Sequence, residues 1–312
     1  MTPHAAVTPF WAEGDVDRTP RLFELHLGAL DFSDRLALID ATLHPVLERH
    51  RIATGARETR PDGLMLEFEA TEARAWALLR DLLARREALA ADVAVVPSER
   101  GISLLLCDMD GTVVADETLD TLAARVGVGE RVAAITDRAM RGAIDYRTSL
   151  AERTRLIAGI DPALLLEVAA TARLSAGASE LVAAARAAGV RTLLVTGGFA
   201  PIAATIARRL GFDDYVCNHL EMIDGRPSGT LTPPIIDGDG KRAALDAECQ
   251  RRGTDPRAVC AVGDGANDIA MVRAAGVGIA YRAKPVLAEA SPYRIEYADL
   301  SAAARWCGFP LQ

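Results

Sequence analysis

Downstream of residue 101 the sequence alternates unbroken apolar runs with helical patterns, and this alternation restricts the fold more than any other feature. The runs are Ile102 to Cys107, Arg191 to Thr196, Val259 to Gly263 and Val277 to Ala280. Continuous apolar strands are expected where helices cover both faces of a parallel sheet. Three of the runs lead into short polar or glycine-rich turns: Asp108-Met109-Asp110-Gly111-Thr112, Thr196-Gly197-Gly198-Phe199 and Gly263-Asp264-Gly265-Ala266-Asn267-Asp268. In an open α/β sheet, ligands bind outside the carboxyl ends of the strands. Turns of this composition in that place point to a site.

Between the first and second runs lies a stretch too long for a simple crossover. It spans about 118–171 and is helical in pattern, with Leu119, Leu122 and Val126, then Val132, Ile135 and Met140, then Leu150, Leu156 and Ile157 at helical spacing. A helical insertion leaving next to a polar turn suits a cap or lid. Upstream, residues 21–98 read as strand, helix, strand, strand, helix, strand. Phe23, Leu25 and Leu27 alternate with Leu22, Glu24 and His26, as in a half-buried strand. Leu36, Ile39, Leu43 and Val46 have helical spacing, with Pro45 expected to kink or shorten that helix. Leu64, Leu66 and Phe68 alternate again, then Trp76, Leu79 and Leu83 mark a helix face, and Val93 and Val95 close the set. This order predicts a ferredoxin-like α+β domain, and in topology it resembles the small ACT-type domains that sit beside amino-acid enzymes. The expected organisation is a tail over 1–20, the small domain over 21–98, a linker from Pro97 to Gly101, and an α/β domain over 99–312.

The 312 residues, half of them apolar and a quarter charged, suffice for two domains with separate cores. Met1 to Trp11 lacks the basic start and long apolar run of a signal peptide. No apolar stretch reaches membrane-spanning length; the best, Val190 to Val195, is interrupted by Arg191. Cys107, Cys217, Cys249, Cys260 and Cys307 are scattered, odd in number and without CxxC spacing, which favours reduced thiols over disulfides or a zinc site. The expectation is a cytoplasmic protein with no membrane span. A net charge of −8 without a basic stripe argues against a nucleic-acid partner. An anionic substrate would therefore need a local cluster of positive charge.

The first turn offers Asp108 and Asp110, two carboxylates one residue apart that a bend brings toward a common point. One of the pair could attack phosphorus to give an aspartyl-phosphate, splitting a hard displacement into two easier ones. The other could protonate the leaving oxygen and later deprotonate the attacking water. The alternative is a solvated turn, since Asp and Gly are common there. In the last turn, Asp264 supplies another carboxylate suited to Mg²⁺, which takes oxygen ligands and keeps several waters. A dinucleotide loop is excluded because Asp268 stands where GxGxxG needs glycine. Lys241, at a helix start, is a candidate phosphate clamp, with a plain surface lysine as the alternative. Thr196 and Gly197 offer a hydroxyl and N–H groups of the kind that bind phosphate oxygens at a helix start. There is no GxxxxGK[ST] loop, and Lys241 and Arg242 break the calcium-loop likeness of Asp237-Gly238-Asp239 with Glu248.

Taken in order, an acidic pair, a Thr-Gly turn, a lysine and a second acidic turn resemble the haloacid dehalogenase (HAD) superfamily over about residues 102–297. Within it the chain resembles the phosphoserine phosphatases. Asp108 to Thr112 with Glu117 is similar to their first motif and substrate glutamate. Ala139-Met140-Arg141-Gly142, Ser149 to Arg153 and Gly159 are similar to their cap signature. Val195 to Phe199 resembles the second motif, and Gly263 to Asp268 with Met271, followed by Gly276 to Pro285, resembles the last. The resemblance implies a HAD-type Rossmann-like parallel sheet with a helical cap, and hydrolysis of O-phosphoserine. It also implies roles: Asp108 as nucleophile and Asp110 as general acid and base; Asp108, Asp264 and the Asp110 carbonyl as Mg²⁺ ligands, supported by Asp268; Thr196, Gly197, Lys241 and Asn267 as phosphate binders. Glu117 and Arg153 would read the ammonium and carboxylate of the amino acid, a task for which an anion and a bidentate guanidinium are suited. Two departures stand out: Thr196 where the family commonly has serine, and Tyr146 where its cap usually has phenylalanine, both in the substrate-binding set.

Two other functions fit parts of the pattern. A phosphotransferase would pass the phosphoryl group to an acceptor alcohol, and an amino-acid sensor would make the N-terminal domain the centre of function. That domain is a candidate for binding serine, for pairing two chains as a homodimer, or for packing alone.

Overall fold

The structure, a computed structural model, describes residues 19–311; most of the expected 1–20 tail lies outside them. Near the N-terminus, β1 (Arg21–Gly28), α1 (Phe32–Arg49), β2 (Thr54–Arg60), β3 (Gly63–Ala70), α2 (Glu72–Leu83), the short α3 (Arg86–Leu89) and β4 (Asp92–Pro97) follow one another. Their sheet has the order β2-β3-β1-β4, with every pair antiparallel. That is the ferredoxin-like arrangement. Phe23, Leu25 and Leu27 of β1 and Leu64, Leu66 and Phe68 of β3 are buried, as their alternation predicts. His26 is buried as well, on the face the alternation assigns to solvent, where its ring meets Glu24 and Arg100.

Two expectations fail in this half. Helix α1 is not shortened at Pro45 but continues to Arg49, with Leu43, Val46 and Leu47 around it all packed into the core, burial that outweighs the lost backbone donor. In α2 the buried face is Ala75, Leu78, Leu79 and Leu82, rotated from the Trp76-Leu79-Leu83 line, and the two large side chains at its ends sit half-buried at the edge.

The second half contains β5 (Leu104–Cys107), four helices α4 (Thr118–Arg125), α5 (Gly129–Met140), α6 (Tyr146–Arg155) and α7 (Ala163–Thr171), then α8 (Ala178–Ala187), β6 (Arg191–Phe199) and α9 (Ala200–Leu210). It continues with β7 (Asp214–Ile223), β8 (Arg226–Thr232), α10 (Gly238–Arg252), β9 (Val259–Gly263), α11 (Ile269–Ala274), β10 (Val277–Tyr281), α12 (Pro285–Ala288), β11 (Tyr293–Ile295) and α13 (Ser301–Trp306). The sheet order is β11-β10-β9-β5-β6-β7-β8, parallel except for the β7–β8 hairpin. This is the Rossmann-like α/β fold with a helical cap inserted after β5. The sequence reading misses the β7–β8 hairpin and β11: the two-residue Asp224-Gly225 loop, with φ +49° and +76°, is a hairpin signal, but β8 contains Pro227 and Gly229 and β11 is three residues long.

The topology fixes where chemistry can occur. Strands β9, β5 and β6 are neighbours in the centre of the sheet, with Cys107 level with both Val262 and Leu194. All three run the same way, so Asp108, the Thr196 to Gly198 segment and Asp264 emerge side by side at one sheet end; the turn expected at Thr196-Gly197 is instead the irregular end of β6, whose pairing with β7 shifts register between Val195 and Phe199. The two halves are joined by a buried anchor absent from the sequence reading. The Asp92 carboxylate accepts the N–H groups of Glu296, Tyr297 and Ala298 at 2.9, 2.9 and 2.8 Å and pairs with Arg86, while the Tyr293 hydroxyl donates to the Val95 carbonyl at 3.0 Å. Among the described residues, no helix is long and apolar enough to cross a membrane.

Candidate active site

A cavity of about 620 Å³ opens between this sheet end and the cap. Asp108, Asp110, Thr196, Gly197, Asp264 and Asn267 line it from the sheet side, and Glu117, Tyr146 and Arg153 from the cap side. Lys241 stands behind Asp108, with no exposed surface, and Asp268 is likewise fully buried. Residues spread over 160 positions of sequence thus meet in one place.

Asp108 follows β5, and its N–H donates to the Val262 carbonyl at 2.9 Å, which continues the sheet one residue into the turn. Its Oδ1 accepts the Met109 N–H at 2.7 Å and lies 2.6 Å from Lys241 Nζ. Both contacts fall on Oδ1, which leaves Oδ2 turned to other work. Asp110 Oδ1 accepts the Thr118 N–H at 2.8 Å, tying the second carboxylate to the first turn of the cap. Gly111 has φ +70°, and a Cβ there would lie 2.6 Å from an Asp264 oxygen, so only glycine lets the two acidic turns approach. Asp237 caps α10 by accepting the Gly240 N–H at 2.9 Å, and this sets the helix that delivers Lys241 one turn later.

Lys241 bridges two carboxylates, with Nζ 2.6 Å from both Asp108 Oδ1 and Asp268 Oδ1. Asp268 spends its other oxygen on the N–H groups of Asp264 and Gly265 at 3.1 and 3.0 Å. With both oxygens occupied, Asp268 is a buttress that holds Lys241 and the Asp264 turn in place.

The carboxylates are crowded, and their titration reflects it. Burial, then the charge of Asp268, holds the Asp108 carboxyl well above the usual carboxylate range, with Lys241 opposing. Asp110 is pushed up to about 7, first by burial and second by Glu117. Asp264 is pushed up to about 6 by burial, with Lys284 pulling down and Asp268 pushing up. Burial would lower the Lys241 ammonium, but Asp108 and Asp268 outweigh it and hold it above its ordinary value. Lys241 is therefore a fixed charge at any working pH.

One carboxylate oxygen from each of Asp108, Asp264 and Asp268 falls within 4.8 Å of the others. The donor set is oxygen only, and its negative charge exceeds what Lys241 balances. Such a cluster fits a hard divalent cation. Of the three, Asp268 has both oxygens engaged by Lys241 and by backbone N–H groups.

Four features of the site escaped the sequence reading. Lys284 places Nζ 3.5 Å from both Glu117 and Asp264, a second cation at the rim. Asp120, half-buried beside Glu117, lines the cavity and adds to the acidic patch of the cap. Buried Asn218 donates to the carbonyls of Gly197 and Ile236 at 2.8 and 3.2 Å and accepts the Ile236 N–H at 2.7 Å. It thereby staples the end of β6 to the approach of α10. Met140, read as a packing position, is 73% exposed and faces the cavity mouth. Two of them lay within likenesses, Lys284 in Gly276 to Pro285 and Met140 in the cap signature, but neither carried a role in the site. Tyr146 leans so close to Gly197 that a Cβ there would collide with its hydroxyl, and burial pushes that hydroxyl up to about 12. The Cys107 thiol, beside Asp108 in sequence, is buried in the sheet and pushed up by burial, which makes it structural.

Comparison with known proteins agrees with this architecture. The model of the haloacid dehalogenase-like hydrolase family matches residues 105–273. The chain is 45% identical over 186 residues to the phosphoserine phosphatase of Halobacterium salinarum, covering 59% of this chain and 88% of that one. A crystal structure of a probable phosphoserine phosphatase from Vibrio cholerae, unliganded, superposes with a TM-score of 0.74 at 25% identity, over 92% of this chain and 86% of that one. A phospho-aspartyl intermediate analogue of a phosphoserine phosphatase superposes with a TM-score of 0.62 at 32% identity, over 66% of this chain and 98% of that one. The family match spans more than half of the chain and centres on the acidic turns: the protein belongs to the haloacid dehalogenase-like hydrolases.

Proposed function

We propose that this protein is a phosphoserine phosphatase, which hydrolyses O-phospho-L-serine to L-serine and phosphate, the last step of serine biosynthesis. The observation that carries the reading is the buried Lys241, held between Asp108 and Asp268 directly beneath a cavity whose opposite wall presents Glu117 and Arg153. The floor is built for a phosphoryl group and the roof for a zwitterion.

In this mechanism Asp108 Oδ2 attacks phosphorus and the bond to the seryl oxygen breaks. Asp110, whose carboxyl is pushed up to about 7, gives its proton to that oxygen. Serine leaves, and Asp110 then takes a proton from the water that attacks the aspartyl-phosphate, releasing phosphate and restoring Asp108. Lys241, the Thr196 hydroxyl, the Gly197 N–H and Asn267 hold the phosphoryl oxygens. Thr196 Oγ1 accepts the Gly198 N–H at 2.8 Å, which orients its own proton toward the cavity. Magnesium, held by the Asp108 and Asp264 carboxylates and the Asp110 carbonyl, would neutralise phosphate charge facing the anionic nucleophile. Glu117, aided by Asp120, receives the substrate ammonium, and Arg153 its carboxylate. Tyr146 closes over the end of β6.

The N-terminal unit we read as ACT-like, on the strength of its strand order, with packing against β11 and α13 as its first role and chain pairing as a second. Five buried unpaired cysteines support a cytoplasmic setting.

A substrate panel tests the proposal: L-phosphoserine, D-phosphoserine, phosphothreonine and sugar phosphates, with Mg²⁺ and with EDTA, and with homoserine added to detect transfer. Preference for L-phosphoserine with metal, and none in Asp108→Asn, is expected. Preference for sugar phosphates would overturn the roles of Glu117 and Arg153, and turnover by Asp108→Asn would overturn the covalent route.

A further inference from the structure

The cavity mouth carries a charged contact between cap and core that the proposed chemistry does not use. Arg147, second residue of α6, donates through Nε to Asp237 Oδ2 across 90 positions of sequence. Asp237 is buried and doubly engaged, since its Oδ1 caps α10 and its carbonyl accepts the Lys241 N–H at 2.8 Å. One residue thus sets the start of the helix that bears Lys241 and receives a guanidinium from the cap. Arg147 directly follows Tyr146, which leans on Gly197, and shares its helix with Arg153.

The two ends of α6 are held differently. Beyond its C-terminus the Gly159 N–H donates to the Pro227 carbonyl at 2.7 Å, and Arg226 donates to the Gly159 carbonyl at 2.8 Å, which fixes that end to the β7–β8 hairpin. At the mouth the tie is an ion pair whose arginine is 63% exposed and whose aspartate is 11% exposed. A half-exposed pair of this kind breaks and reforms easily.

We infer that Arg147 is a positioning residue, its pair with Asp237 acting as the releasable clasp that seats the mouth end of α6, and with it Tyr146 and Arg153, over the phosphate site. The inference rests on the reading that α6 faces the substrate. With the clasp closed, the binding-competent arrangement dominates the free protein. Without it, apparent affinity falls in proportion to the competent fraction, while saturating substrate still draws the cap shut.

The test uses the full chain with Arg147→Ala, Arg147→Lys, Asp237→Asn and the Ala/Asn double variant. Asparagine is as good an N-cap as aspartate, so α10 keeps its start. Each of Arg147→Ala and Asp237→Asn is expected to raise KM about fivefold, the upper range for a surface pair, with kcat within about twofold. The double variant should be no worse than either single one, and Arg147→Lys should recover part of the loss. A long-range charge effect on an anionic substrate would instead move KM in opposite directions for Arg147→Ala and Asp237→Asn. That result, or additivity in the double variant, overturns the clasp. Hydrogen exchange of the α6 amides in the free protein provides a readout independent of the substrate. Both single variants should exchange faster over Arg147 to Arg155, and unchanged exchange refutes the inference. If phosphoserine is not turned over at all, the functional reading fails, while the exchange result still decides the clasp.

Discussion

Replacing Lys241 by methionine removes one charge and little volume, and the structure says what must follow. The ammonium has no exposed surface and sits 2.6 Å from two carboxylates that are themselves buried. Taking one partner from a buried ion pair costs about 3–5 kcal/mol, because the remaining charge is left uncompensated. Here two carboxylates lose the same cation, so the upper part of that range is the starting figure. Asp108 relieves some of it by taking up a proton, which its raised carboxyl makes easy. At about 2 °C per kcal/mol for a chain of this size, the expected fall in Tm is roughly 6–10 °C in EDTA. Magnesium should narrow the gap, since the ion supplies a counter-charge to Asp108. Turnover should fall further than stability, by about 10²–10³ in kcat, the typical loss when one preorganised charge is taken from a developing anion. Thermal melts with EDTA and with Mg²⁺, together with steady-state turnover of phosphoserine, check both halves. A Lys241→Met protein that melts within about 2 °C of the wild type in EDTA and keeps more than a tenth of its kcat would refute the reasoning.

Other perturbations separate the roof of the site from its floor. Arg153→Lys keeps the charge but loses the fork, so KM for phosphoserine should rise about tenfold, while turnover of p-nitrophenyl phosphate, which has no amino-acid group, stays level. Glu117→Gln should show the same selectivity. Metal-free protein should lose stability as pH rises from about 4 to about 7: the folded carboxyls of Asp110 and Asp264 lie at about 7 and about 6, above an unfolded value of about 4, so the folded state binds more protons and raising pH favours unfolding. Melts in EDTA across that range check the slope, which Mg²⁺ should flatten; a Tm that climbs with pH in EDTA contradicts the crowding of the site.

The catalytic half was legible for a definite reason. Parallel strands buried on both faces, such as Val259 to Gly263, must be continuously apolar, and the turns that end them must be small and polar to admit a ligand, so both leave marks in one dimension. Elements that answer to neighbours leave none. Strand β8 is a short edge interrupted by Pro227 and Gly229, and α1 passes through Pro45 while Leu43, Val46 and Leu47 on either side are buried. The same holds in the site. Lys284 has no role in the sequence reading and stands 3.5 Å from Glu117 and Asp264 in space. Arg147 and Asp237 are ninety residues apart and touch.

By itself the sequence determined the strand-turn-helix rhythm, the order of the acidic and glycine-rich turns, and the residue types able to carry phosphoryl chemistry. All of these are local, set by side-chain period and backbone freedom. Tertiary structure alone decided that Lys241 is buried between Asp108 and Asp268, that Asp268 has no oxygen to spare, and that Asn218 and Asp237 hold the end of β6 and the lysine helix in register. Charge pairing and burial depend on which strands become neighbours, and the β9-β5-β6 order that brings these residues together is a property of the assembled sheet.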